Sequence, residues 1–317
     1  MPALITHRLF GEESIELLPE GIIKDSYQRS AFMLGNQGPD PYFFNYITTN
    51  GTTSRKLASA MHATYITASF QALYDGVSHT NQKYADLARA FALGLLSHYV
   101  LDRCAHPFVY AQQYGIQHLD NDLAEFEDQV HAVIESDLDV LMLQIKRDGA
   151  TIAEYPPASL LTTTQEINLV AGALFSHVAH KVYGLDISIA QYASAISDMQ
   201  LIYRLIEPAG STLSNTLAQI ETLSRTYSQL GALAHRLTCE QSTNVGNTAQ
   251  LAWTNPFTGE KSFETFEQVF NRALTDYANT APYFIENNIQ KVTNSLNYSG
   301  MPLTLDEHEA LKPDIAI

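Results

Sequence analysis

The chain has 317 residues, of which 45% are hydrophobic, a composition that excludes general disorder and suffices for one large domain or two. Eighteen lysine and arginine residues against 34 aspartate and glutamate residues give a formal net charge of −16. Because no run of basic residues offsets this charge, the sequence argues against a protein that binds nucleic acid or anionic lipid through positive charge. A site in which metal supplies the positive charge is not excluded.

The first residues lack the basic region, long apolar core and small-residue cleavage site of a secretory signal. No apolar run approaches the ~20 residues that span a bilayer. We therefore expect a cytoplasmic protein, with secretion by a signal-independent route left open. Nothing in the sequence indicates an oligomeric state.

In chain order, the first half is predicted to contain one long loop and three helices. Several glycines and prolines make residues 32–53 a predicted loop. Apolar residues at helical spacing predict helices over residues 56–74, 81–106 and 119–147. Pro107 is predicted to end the second of these helices, because proline cannot donate the next backbone hydrogen bond.

The second half continues as helices, predicted at about 163–183, 187–206, 212–237 and 263–295. A break is expected near 241–262, the tail after residue 299 is expected to be loose, and no strand-type alternation persists. The sequence therefore predicts an all-α protein. We expect a single domain over residues 1–317, with metal-site helices in 1–147 and a helical C-terminal extension in 148–317.

Three metal-ligand side chains recur at intervals of four on the second predicted helix. His98, Asp102 and His106 would share one helix face, about 5.4 Å apart along the axis. Imidazole nitrogens and carboxylate oxygens are ligands that Zn²⁺ prefers. Cys104 lies two positions from Asp102 and would point away from that face, which favours a packing role.

Further candidate ligands surround this triplet in the sequence. His131 and Glu135 repeat the four-residue interval, His62 lies within a predicted helix, and Asp40 lies in a Gly- and Pro-rich segment. A single histidine four residues from a carboxylate is usually an ordinary hydrogen-bonded pair. The combination, together with His7, favours a zinc site.

At these residues the sequence resembles the zinc-dependent phospholipases C, which share an all-α, multi-helix fold with the fungal single-strand-specific zinc nucleases. The resemblance covers roughly the first 140 residues and lies in an early histidine, a Gly-Pro-Asp-Pro segment and the His and carboxylate pairs, namely His7, residues 38–41, His62, His98, Asp102, His106, Pro107, His131 and Glu135. Residues 253–260 also resemble a segment of signal-less bacterial members, without an assigned role.

The resemblance implies up to three zinc ions. One would be bound by Asp40, His62, His98 and one oxygen of Asp102. A second would be bound by the other oxygen of Asp102, by His7 and by the chain's amino terminus. The third would be bound by His106, His131 and Glu135. A carboxylate suits the shared position, because its two oxygens can bind two ions.

The amino terminus departs from the family pattern. Secreted members expose a tryptophan whose amine and carbonyl bind zinc, whereas this chain has Met1 and Pro2. Proline at the second position generally permits removal of the initiator methionine. We therefore predict that the amine and carbonyl of Pro2 take the tryptophan's place.

The function implied is phospholipase C-type cleavage of a phospholipid headgroup by a metal-bridging hydroxide, with Asp40 and Asp102 as the catalytic carboxylates. Alternatives are a nuclease or nucleotidase that acts on single-stranded nucleic acid, and a non-catalytic helical protein with structural zinc. The expected partner is a phospholipid or another phosphodiester, with transient membrane contact left open and nucleic acid not favoured.

The aromatic residues 42–44 are interpreted as loop packing, with a role in lining the substrate site as the alternative.

Overall fold

The computed structural model describes residues 4–48, 50–119, 123, 125–222, 228–238 and 244–304. The protein is all-α. The helices of the first half are α1 (Leu4–Ile15), α2 (Ser26–Gly35), α3 (Gly51–Ala63), α4 (Ile66–His79), α5 (Ala85–Leu119) and α6 (Glu127–Lys146), with 3₁₀ turns at Asp40–Phe44 and Gln82–Tyr84.

The second half, as far as it is described, is also helical. It contains α7 (Pro157–Leu160), α8 (Gln165–Tyr183), α9 (Ala190–Ile206), α10 (Thr212–Thr222), α11 (Gln229–Leu233), α12 (Phe266–Ile285) and α13 (Ile289–Thr293). Two short antiparallel strands, β1 (Trp253–Thr254) and β2 (Lys261–Ser262), lie inside the segment that was predicted as a break. None of the helices in the described ranges combines the length and hydrophobicity that crossing a bilayer requires.

Helix α5 is the centre of the structure, and most of its residues between Leu87 and Val109 are buried. Helix α2 packs very closely against it. A Cβ atom on Gly35 would lie 2.1 Å from the Phe91 carbonyl oxygen, and one on Gly94 would lie 2.1 Å from the Phe32 carbonyl oxygen. Only glycine permits this backbone approach. The contact fixes the end of α2, and with it the loop that carries Asp40, next to the ligand face of α5.

The prediction that Pro107 ends its helix is wrong. Helix α5 continues through Pro107 to Leu119. Proline removes one backbone hydrogen bond from a helix, which costs about 3 kcal/mol. Burial on both sides of the proline outweighs this cost, because Cys104 to Val109 are all buried. Because Pro107 has no N–H, the Arg103 carbonyl lacks its helical donor. Gly300 covers this carbonyl so closely that a Cβ on Gly300 would lie 2.4 Å from the Arg103 oxygen.

Other predicted boundaries also need correction. The 32–53 segment is not one loop, because α2 runs to Gly35, a 3₁₀ turn spans Asp40–Phe44 and α3 begins at Gly51. The helix predicted over residues 56–74 is two helices, separated where Tyr65 takes a left-handed φ of 55°. The 212–237 and 263–295 helices are likewise interrupted, and α6 begins at Glu127 rather than at 119.

The C-terminal helices pack on the same hydrophobic core as the N-terminal ones. One cluster of buried residues extends from Leu4 to Leu303. Arg103 on α5 joins the two parts, since its guanidinium donates to Asp276 Oδ2 on α12 and to the Val292 carbonyl on α13. The tail is not loose over its first residues, because Leu303 is buried. Residues 305–317 lie outside the described part, and the division 1–147 and 148–317 stays a prediction.

Candidate metal centre

The ligand face predicted for α5 is formed as expected. His98, Asp102 and His106 lie on consecutive turns of the helix and are all buried, with 0%, 6% and 7% of their surfaces exposed. Pro107 does not disturb the spacing, because the helix continues beyond it. The order of residues on one helix therefore aligns a carboxylate between two imidazoles.

Asp102 directs its two carboxylate oxygens at different groups. Oδ1 lies 3.0 Å from Nε2 of His7, which α1 brings in from 95 positions away. Oδ2 lies 3.3 Å from Nε2 of His98 and 3.7 Å from Nε2 of His62. The two oxygens thus face two separate sets of donors, as a carboxylate shared between two cations requires.

Asp40 completes the set around Oδ2 of Asp102. Its Oδ1 lies 3.1 Å from Nε2 of His62 and 3.8 Å from Nε2 of His98. Ligands of a tetrahedral zinc with bonds of about 2.0–2.1 Å lie roughly 3.3 Å from one another. The contacts among Asp40, His62, His98 and Asp102 scatter around that value.

A second set lies where α5 and α6 face each other. Glu135 Oε1 is 3.4 Å from Nε2 of His106 and 3.3 Å from Nε2 of His131. These three side chains are all buried, and their candidate ligand atoms lie within 4.8 Å of one another. The separations again fit one tetrahedral cation.

Four of the five histidines are oriented through their Nδ1 atoms. The partners are the backbone carbonyls of Ala58, Asn36 and Tyr298 for His62, His98 and His106, and the Gln113 side-chain oxygen for His131, at 2.7–3.2 Å. A donor bond from Nδ1 leaves Nε2 as the unprotonated nitrogen, which is the form that binds metal. In each case Nε2 is the atom that faces the carboxylates.

The electrostatics favour ionised carboxylates in this site. Burial would raise the pKa of Asp102, but His106, His98 and His7 outweigh it and hold that pKa well below its usual range. For Asp40, His98 and His62 likewise outweigh burial and lower the pKa. Burial lowers the pKa of His98, which keeps its imidazole neutral.

Several atoms of the site fit a bound cation better than hydrogen bonding within the protein. Among the described residues, His7 Nδ1, His98 Nε2 and Asp40 Oδ1 are buried without a hydrogen-bond partner of acceptable geometry. A cavity of about 20 Å³ also lies among His7, Asp102, His106 and Glu135. That volume holds roughly one water-sized particle. Buried polar atoms are rarely left unpaired, so the residues present fit zinc.

A family model described as zinc-dependent phospholipase C matches residues 6–181, which is more than half of the chain. The chain belongs to the zinc-dependent phospholipase C family. Searches of curated proteins and of solved structures gave no match. The predicted family and all-α fold are therefore confirmed, and zinc dependence of hydrolysis is a property of the family.

The family match covers all eight predicted side-chain ligands, and the structure leaves none of them apart from the others. His7, Asp40, His62, His98 and Asp102 converge, and His106, His131 and Glu135 form the second set. Pro2, the remaining predicted ligand, lies outside the described residues. Cys104 points away from the ligands as predicted, with Sγ near Asp276 Oδ2 on α12, and burial raises the pKa of its thiol to about 12.

Sequence reasoning missed the contribution of Tyr298. This residue follows α13, beyond the 6–181 match, yet its carbonyl accepts from His106 and its amide donates to the His62 carbonyl. Its buried ring lies 4.6 Å from the His62 ring. A single tyrosine near a predicted loose tail carries no local signal of such a role.

The aromatic residues 42–44 divide between the two interpretations. Tyr42 and Phe44 are buried and pack on Phe175 and Tyr203 respectively, which fits a packing role. Phe43 is only partly buried, and its ring centre lies 5.4 Å from that of His62. Phe43 therefore borders the metal-ligand cluster.

Proposed function

We propose that this protein is a phospholipase C that hydrolyses the bond between the glycerol oxygen and phosphorus of a phospholipid, releasing diacylglycerol and a phosphorylated headgroup. The observation that carries the proposal is the position of Asp102. Its two oxygens face two donor sets, one with His7 and one with His62 and His98. A purely structural zinc site needs only one closed set of ligands.

The proposed ligand sets follow the contacts. Asp40, His62, His98 and Asp102 would hold one zinc ion, and Asp102, His7 and the amine and carbonyl of Pro2 a second. His106, His131 and Glu135 would hold a third. When bound, zinc supplies positive charge for an anionic phosphodiester and makes water acidic enough to act as a nucleophile near neutral pH.

Asp40 is the proposed proton acceptor. Its carboxylate is buried, and its neighbours His98 and His62 lower its pKa, so it is ionised at neutral pH. In the proposed step a water oxygen forms a bond to phosphorus, the bond from phosphorus to the glycerol oxygen breaks, and Asp40 receives the proton of the water. That proton then passes from Asp40 to the glycerol oxygen, which leaves as the hydroxyl of diacylglycerol, so that the carboxylate is restored.

The site opens to solvent at His62. The His62 side chain is 18% exposed, whereas the other seven candidate side-chain ligands are at most 9% exposed. A phosphodiester would therefore approach past His62, between the rings of Phe43 and Tyr298. The chain's net charge of −16 disfavours association with a polyanion, which supports a lipid substrate over single-stranded nucleic acid.

Parallel assays test the proposal. Zinc-loaded protein is given phosphatidylcholine, a chromogenic phosphocholine ester and single-stranded DNA, each with and without chelator. We expect chelator-sensitive release of diacylglycerol and little cleavage of DNA. Cleavage of DNA alone would support the nuclease, and three bound zinc ions without any hydrolysis would support a structural role.

The amino-terminal ligand is tested separately by intact-mass measurement of the active protein. We expect a mass without Met1 together with three zinc ions per chain. A three-zinc active protein that retains Met1 would exclude Pro2 as a ligand.

A further inference from the structure

An apolar cavity of about 360 Å³ lies beside the metal-ligand cluster. Its walls come from the chain just after Asp40, from α9 and from α10 and α11, and its apolar lining includes Phe43, Phe44, Tyr46, Ile47, Ile202 and Leu230. The volume falls within the range of small-molecule sites. The Glu221 carboxylate on the wall is already engaged, because it accepts from the Ser228 hydroxyl and from the Leu230 amide.

Phe43 connects this cavity to the metal-ligand cluster. Residues three apart in a 3₁₀ helix lie on the same side, so Asp40 and Phe43 project together from Asp40–Phe44. Both contact His62, Asp40 through an oxygen at 3.1 Å and Phe43 through a ring at 5.4 Å. The cavity therefore begins one aromatic ring away from the most exposed candidate ligand.

The other end of the cavity reaches the surface through apolar side chains. Tyr46 and Ile47 line it and are 63% and 65% exposed. Large exposed side chains of this kind, next to a concave apolar site, are typical of a surface that meets an apolar ligand. The cavity thus extends from the solvent-exposed edge to Phe43, whose ring borders the metal-ligand cluster.

We propose that this cavity binds an acyl chain of the substrate. The inference rests on the proposed phospholipase C function and specifies how the lipid part is recognised. The phosphate of a phospholipid is joined through glycerol to two acyl chains, so a phosphate at the zinc ligands places a chain within reach of Phe43. The position next to the site through Phe43, the apolar lining and the engaged carboxylate of Glu221 all suit a hydrocarbon.

Two adjacent residues of α9 provide a matched test. Ile202 lines the cavity, whereas Leu201 points outward and is 42% exposed. Ile202→Trp fills the cavity and Leu201→Trp adds the same bulk outside it. Leu230→Trp fills it from α11 if the first variant folds poorly, and melting temperature and zinc content verify each protein.

The substrates are phosphatidylcholines of increasing acyl length, all below their critical micelle concentrations, and a chromogenic phosphocholine ester that has no acyl chain. For wild type and Leu201→Trp, we expect kcat/KM to rise with chain length, by up to about fourfold for each additional methylene that is buried. In Ile202→Trp the ratio of kcat/KM for the longest lipid to that for the ester falls by at least about tenfold. An unchanged ratio, or an equal fall in Leu201→Trp, would overturn the acyl site.

Equilibrium binding separates this inference from the proposed activity. Dihexanoylglycerol, titrated calorimetrically, should bind wild type and Leu201→Trp but not Ile202→Trp. Binding of this probe by a protein that hydrolyses no phosphodiester would overturn the proposed function alone. Hydrolysis with an unaltered chain-length profile in Ile202→Trp would overturn the acyl site alone.

Discussion

Asp139 on α6 and His235 after α11 form a buried contact of 3.1 Å between Oδ2 and Nε2, although 96 positions separate them in the chain. The same carboxylate accepts the backbone amides of Ile5 and Thr6 at 2.8 and 2.7 Å. The far nitrogen of His235 contacts Glu207 at 2.5 Å. Asp139 therefore holds the first turn of α1, which carries His7, and residues from outside the 6–181 match hold Asp139.

Replacing Asp139 should weaken the metal centre at a distance. In Asp139→Asn an amide nitrogen replaces one oxygen, and it cannot accept from the backbone amide of Ile5 or Thr6. We expect unfolding free energy to fall by about 2–4 kcal/mol and zinc retained after dialysis to fall by about one ion. Denaturant unfolding and metal analysis measure both effects.

Asp137→Asn is the control for this prediction. Asp137 lies on the same helix and contacts only the half-exposed Arg236 among the ion pairs of the described residues. Its replacement should change unfolding free energy by less than about 0.5 kcal/mol. Full zinc retention in Asp139→Asn would show that the first turn of α1 does not depend on this carboxylate.

The pH dependence of stability should report on His235. Burial lowers its pKa, but bonds to Asp139 and Glu207 outweigh burial and raise that pKa to about 9 from an ordinary 6.5. A raised pKa in the folded state stabilises the protein fully below about pH 6.5, and this contribution is lost as pH rises through about 9. The advantage of wild type over His235→Gln should therefore shrink by roughly 3 kcal/mol across that interval.

Zinc-free protein is used for this comparison, so that metal binding does not add its own pH dependence. The exposed His180 provides the control, because His180→Gln removes no buried partner. Its stability curve should follow that of wild type. A constant difference between wild type and His235→Gln over the interval would exclude a protonated His235.

Asp102→Asn should disrupt two zinc positions at once. The amide nitrogen cannot replace the oxygen that faces either His7 or His62 and His98. We expect release of more than one zinc ion and a fall in phosphodiester hydrolysis by roughly 10²–10³-fold or more. Metal analysis and kinetics test this, and near-normal turnover would rule out a shared carboxylate.

Gly38 should be required for the position of the His98 ring. A Cβ on Gly38 would lie 2.3 Å from His98 Cδ2, and its φ of +57° already disfavours other residues. Gly38→Ala should cost about 2–4 kcal/mol and lower zinc content. Gly21→Ala is the control. Gly21 also has a positive φ, of +81°, but an added Cβ there would have no atom within 4 Å, so this substitution measures the backbone strain without the clash. Equal effects of the two substitutions would contradict a role for the clash.

Gln113 should tune the zinc position at His106, His131 and Glu135. Its side-chain oxygen accepts from His131 Nδ1 at 2.9 Å. Loss of such a partner typically lowers metal affinity by about 10–100-fold, so Gln113→Leu should release one zinc ion to a weaker chelator than wild type does. Gln117→Leu, on the same helix and outside the site, is the control. Identical chelator profiles for both variants would refute the prediction.

The fold class and the local helical spacing were predictable, because they depend on hydrogen bonding and apolar periodicity within one segment. Boundaries were less so. The helix through Pro107 was missed, because burial of Cys104 to Val109 outweighs the local tendency of proline to end a helix. The break at Tyr65 was missed, because no glycine or proline marks the left-handed conformation at this position.

The sequence by itself determined the alignment of His98, Asp102 and His106 on one helix face and the pairing of His131 with Glu135, since a four-residue interval fixes neighbours on an α-helix. Only the tertiary structure decided which distant groups meet them. His7 reaches Asp102, Tyr298 orients His106, and His235 supports Asp139 through packing of elements 95 to 192 positions apart. No local pattern specifies such contacts, because burial of the shared core brings the helices together.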